Sequence, residues 1–129
     1  MFTLESIAQA HNKVRSGADF PAYIKDIKVL GVRSYEVFVV DGHSVYSSVE
    51  GDVLASPTKY ETLEICPIAN TEQFQKDLVS HQQGKTDYMM FCRDCAKSGV
   101  SGWVMDLESM LCAYIDSHGQ EILVEKIPQ

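Results

Sequence analysis

The chain is similar to itself at an offset of 68 residues. Laying 19–35 over 87–103 aligns four identities in 17 positions: Asp19/Asp87, Asp26/Asp94, Gly31/Gly99 and Val32/Val100. Aromatics exchange at Phe20/Tyr88, Tyr23/Phe91 and Tyr35/Trp103, and bases at Lys25/Arg93. The matched positions are those that start a helix, line its apolar face, stop it with glycine and lead into a strand. A sequence written twice restricts the architecture, since both copies take one local plan. The expectation is a single α+β domain over 1–129, made of two α-α-β-β repeats at about 3–65 and 70–127. Their hairpins form one antiparallel sheet about a pseudo-twofold axis, with helices packed on one face. At 129 residues the chain has the size of one domain.

Periodicity supplies the elements. Thr3 caps a helix with the stripe Leu4, Ile7, Ala8, His11, Val14, and Gly17 ends it. Asp19 caps a second helix with Phe20, Tyr23, Ile24, Ile27 and Leu30 on one face. Residues 32–40 alternate as a strand, Asp41-Gly42 predicts a tight hairpin with positive φ at both positions, and 44–48 returns. Residues 53–56 and 60–65 are weaker strands. Asn70 and Gln73 have capping-box spacing before a third helix, and Thr86 or Asp87 starts a fourth that stops at Gly99. Strands follow at 100–107, 110–116 and 121–127. Tyr35, Tyr46, Trp103 and Tyr114 all fall on strands, and are expected to be core.

Charge and hydropathy exclude several functions. Eleven Lys+Arg against 18 Asp+Glu give −7, a field that repels nucleic acid. Residues 1–33 carry a small local excess of bases. The longest apolar run, Met110–Ile115, is far short of a bilayer span, so no membrane partner is expected. The N-terminal residues Met-Phe-Thr-Leu-Glu lack a basic region, which predicts a cytoplasmic location with reduced cysteines.

Few motifs carry chemistry. Cys92-Arg93-Asp94-Cys95 has redox spacing, but at the 68-residue offset its cysteines replace Ile24 and Ile27 of the apolar stripe, which points to core packing. Four zinc ligands would need Cys66, Cys112 or a histidine as well, and no metal is expected. Gly84-Lys85-Thr86 lacks the upstream glycine of a phosphate loop, and neither G-x-G-x-x-G nor H-E-x-x-H occurs, so no cofactor is expected. Asp41 is close enough in sequence to orient the His43 ring as the partner of a general base, though no nucleophile accompanies the pair. His11, His81 and His118 fall at structural positions on a helix face, near a helix end and in a turn.

The segments Phe2–Ile7, Ser16–Pro21, His81–Tyr88 and Glu121–Pro128 resemble a family of small bacterial and prophage proteins of unknown function, some labelled phage envelope protein. The resemblance spans about residues 2–128 and implies a compact α+β domain, with no site residue to carry over. The expected function is a non-catalytic binding or interaction module, a possible homodimer with a protein or small-molecule partner. The alternative is a thiol-dependent redox or metal-binding protein using Cys92 and Cys95. Hydrolytic chemistry at Asp41 and His43 is a third.

Overall fold

The structure, a computed structural model, describes residues 2–14 and 19–127. Gly17, the expected stop of the first helix, lies outside them. The element order is α1 (Leu4–His11), α2 (Phe20–Val29), β1 (Val32–Phe38), β2 (Ser44–Ser48), β3 (Val53–Ala55), α3 (Thr71–Gln82), α4 (Tyr88–Lys97), β4 (Val100–Asp106), β5 (Leu111–Asp116) and β6 (Glu121–Lys126). It is an α+β domain with one antiparallel sheet in the order β3-β2-β1-β4-β5-β6. Each half thus contributes two helices and three strands, the third (β3, β6) pairing outside the hairpin.

The caps are local. Thr3 closes a capping box with Ser6, and Asp87 accepts the Met90 N–H at 2.7 Å. Asp19, the counterpart of Asp87, is at the N-cap position in a helical backbone conformation and makes no capping bond. Asn70 caps α3 through the Gln73 N–H, but the Gln73 side chain donates to Asp77 instead of completing a box. Residues 60–65 are not a strand. They belong to a loop tied by the Leu63 N–H to Val40 O and the Cys66 N–H to Ala96 O.

The Asp41-Gly42 turn is looser than a two-residue hairpin. Phe38 N–H bonds to His43 O and Gly42 N–H to Phe38 O, and only Gly42 has positive φ, at 76°. Four loop residues therefore separate the paired ends. The matching turn of the second half places Met110 at φ 59°, where glycine would be unstrained.

Hydrogen bonds recur at the 68-residue offset. Ser48 N–H donates to Asp52 O and Gly51 N–H to Ser48 O; Asp116 N–H donates to Gln120 O and Gly119 N–H to Asp116 O. The Ser48 hydroxyl and Asp116 carboxylate each accept the backbone N–H four residues on, both at 2.9 Å. Register irregularities fall at Val32/Ser34 in one half and at Val100/Gly102 in the other. At the central junction Tyr35 pairs with Met105 and Val37 with Trp103, and each pair maps onto the other under the offset. Glu36 pairs with its own counterpart Val104 (104 − 36 = 68), so the relation is a twofold passing between these two residues.

Alternation along the strands sorts side chains onto two faces. Tyr35, Tyr46, Trp103 and Tyr114 are buried beneath the helices, with Tyr23, Ile24, Ile27, Phe74 and Phe91 above them. Ile24 and Ile27 are fully buried, each stabilising by about 1.5–3 kcal/mol. The opposite face carries Glu36, Val45, Val104 and Ala113 half-buried and Val53 and Val124 exposed.

Candidate functional site

The two thiols with redox spacing lie in the core. Cys92 and Cys95 are both 0% exposed, as are Ile24 and Ile27 at the corresponding positions. Burial raises the Cys92 pKa against hydroxyls of Tyr60 and Tyr88 that favour the thiolate. Burial also pushes the Cys95 thiol up, and the neighbouring Cys92, Asp94 and Asp77 add to it. Cys112 is buried and pushed up to about 12, chiefly by desolvation. Cys66 is half-buried in the loop. Raised thiol pKa values are the reverse of what a nucleophilic cysteine needs. Among the described residues no group of three or more His, Cys, Asp and Glu is placed to hold a metal ion.

Asp41 and His43 do meet. His43 Nδ1 lies 2.5 Å from Asp41 Oδ1, which also accepts the His43 backbone N–H at 3.0 Å. These bonds hold the Asp41 carboxyl below its ordinary value, the ring contact contributing most. The His43 ring stacks on Phe38 with centroids 4.4 Å apart. Among the described residues no hydroxyl or thiol hydrogen-bonds to that ring, so the dyad has an orienting carboxylate and no nucleophile.

A groove of about 380 Å³ runs along α1, on the helix side of the sheet. Leu4, Ile7 and Ala8 line it with apolar surface, and His11, Asn12, Tyr46, Ser56, Pro57 and Lys59 line it as well. Glu5 lines it too, about 10 Å along the helix axis from His11 and Asn12 at 1.5 Å per residue. The His11 pKa is lowered, first by burial and then by the charge of Lys59, so its ring is neutral at pH 7. The Tyr46 hydroxyl is buried, and the neighbouring Tyr23 and Ser44 hydroxyls favour its ionised form. A protonated phenol has one hydrogen to donate and two acceptor sites. Burial, the largest cause, raises the Tyr46 pKa and keeps it protonated.

The sequence placed Leu4, Ile7, Ala8 and His11 on the apolar stripe of the first helix; His11, expected as a packing residue, meets the Tyr23 ring edge-on but is exposed. Tyr46 was expected in the core, where it is, and Asn12, Ser56 and Lys59 carry no motif. The other histidines are structural. His81 stacks on Phe91 at 4.4 Å with Nδ1 3.2 Å from Thr86 O, and His118 Nε2 lies 3.2 Å from Pro67 O.

No helix among the described residues is long and apolar enough to cross a membrane. A family model described as a protein of unknown function (DUF1398) matches residues 8–126, nearly the whole fold described above. No curated protein matches the chain. The chain belongs to the DUF1398 family.

Proposed function

We propose that this DUF1398 member is an internally duplicated, non-catalytic binding module that takes a small ligand in the groove along α1. The observation that carries this is the groove itself: about 380 Å³, lined by apolar side chains of α1 together with a few polar groups. Ligand sites are typically recesses of about 300–1,000 Å³ with this division of labour, apolar surface for affinity and a few polar groups for orientation. The two constellations with catalytic residue types lie elsewhere. Cys92 and Cys95 are in the core with thiols kept protonated, and strand alternation puts His43 on the sheet face opposite Tyr46. The recurrence of turn bonds at a 68-residue offset supports duplication.

The test is a screen of small apolar, polar and charged molecules against isotope-labelled protein, followed by backbone amide shifts. Binding in the groove moves amides of 4–12 and 56–59 and leaves the Asp41–His43 turn in place. Shifts confined to the open sheet face, or turnover of a bound molecule, would overturn the proposal.

A further inference from the structure

In the second half, the place corresponding to the groove is closed by a carboxylate. Glu125 pairs with Cys112 on β5, and Ser56 stands opposite Ser44 on β2 through the Ser56 N–H to Ser44 O and the Ser44 N–H to Ser56 Oγ. Cys112 is the counterpart of Ser44 at the 68-residue offset, so Ser56 occupies the position of Glu125. Tyr114 is likewise the counterpart of Tyr46. Helices match through their histidines: His11 meets the ring of Tyr23 and His81 that of its counterpart Phe91, which sets Asn12 against Gln82. Around Glu125 these groups form a cradle. The Tyr114 hydroxyl donates to Glu125 Oε1 at 3.1 Å, and Gln82 Nε2 donates to the same oxygen at 3.0 Å. In the first half the counterparts Tyr46, Asn12 and Ser56 all line the groove.

From this correspondence we infer that the groove binds a small monocarboxylate with an apolar body, its carboxylate resting between Tyr46 and Asn12 as the Glu125 carboxylate rests between Tyr114 and Gln82. The inference rests on the binding-module reading and adds the ligand class. Lys59 supplies a cation at that end, close enough to His11 for its charge to be felt there. Charge-assisted hydrogen bonds are about twice as strong as neutral ones, so a carboxylate gains more from this set of donors than an amide. The apolar body lies along Leu4, Ile7 and Ala8. Glu5, at the far end, disfavours a second negative charge and so selects one acid group over two.

Octanoate, octanamide and octylamine share a chain and differ in the head group. Titrated into labelled protein and followed at the amides of His11, Asn12, Ser56 and Lys59, octanoate is expected to bind at least ~10-fold more tightly than octanamide, with octylamine weakest. Lys59→Met and Asn12→Leu change exposed residues, and each should remove most of the octanoate advantage without altering the melting temperature. Tyr46→Phe should do the same, but it alters the core and is read only if its melting temperature holds. If octanamide binds in the groove as well as octanoate, the carboxylate inference fails and the binding-module reading stands. If none of the three moves the groove amides, the carboxylate inference fails, and the broader screen alone decides the binding-module reading. An octanoate preference that survives both exposed substitutions would place the carboxylate elsewhere and overturn the inference.

Discussion

Alkylation of the four cysteines in native protein decides whether the Cys92–Cys95 spacing is chemistry or packing. A thiol reacts as its thiolate, so two factors set the rate: ionised fraction and access. For Cys112, pushed up from 9.0 to about 12, ionisation alone slows reaction at neutral pH by ~1,000-fold. Cys92 and Cys95 are 0% exposed and shifted in the same direction, so they meet reagent only when the fold opens. If opening is global and stability is ~5 kcal/mol, that adds between three and four powers of ten. Residue-resolved mass spectrometry at pH 7.5 should therefore find Cys66 labelled first, with the other three silent until denaturant is added and then labelled together. Labelling of Cys92 or Cys95 in native protein within about tenfold of a free-thiol control would refute the packing argument. The non-catalytic reading would fall with it.

Three further outcomes follow from the geometry. Gly102→Ala puts a Cβ against the Val37 carbonyl oxygen at the central β1–β4 junction, where only backbone can give way; a loss of about 2–3 kcal/mol in chemical denaturation is expected, and an unchanged midpoint would contradict it. Asp41, Asp106 and Asp116 are held below the ordinary carboxyl value, mainly by the His43 ring contact, the Ser109 N–H and the Gln120 N–H respectively. A depressed carboxyl pKa adds stability above its unfolded value and loses it on acidification, so melting temperature should fall as pH drops below about 4, less steeply in Asp116→Asn. Glu125→Ser removes the carboxylate from the second cradle and should raise octanoate stoichiometry from one site to two; a stoichiometry that stays at one would count against the correspondence between Ser56 and Glu125.

Much of the fold was legible because local rules and the offset agreed. The helix–glycine–strand units needed only capping residues, an apolar stripe and a glycine able to take positive φ, and Gly31 and Gly99 both do. Cys92 and Cys95 were readable as core for the same reason: the offset placed them on Ile24 and Ile27, and the side chains pack alike. The errors came where tertiary contacts outweigh local preference. Asp41-Gly42 favours a two-residue turn in isolation, yet Lys59 N–H bonds to Asp41 O and Tyr60 packs on Gly42, so the connection widens. Residues 60–65 read as a weaker strand but are drawn off by the bonds of Leu63 and Cys66 toward the end of β1 and α4.

The groove was invisible for a different reason. A twofold scaffold makes both halves bury equivalent aromatic surfaces, so any site must come from a difference between them. Two differences bear on the groove: β3 has three residues where β6 has six, and serine stands near the position glutamate takes in the second half. Neither is a motif, and the insertion of one residue shifts the third strands to an offset of 69, so the 68-residue alignment sets Glu125 against Pro57 and hides the exchange. Extending the β2–β3 register by one residue recovers it: Ser56 N–H bonds to Ser44 O just beyond the Val45–Ala55 pair, where Cys112 faces Glu125 in the second half. Glu125 satisfies its cradle from within the chain, while the Ser56 hydroxyl accepts the Ser44 N–H and donates to Pro57 O. One half is thereby closed by its own carboxylate and the other left to be closed from solution.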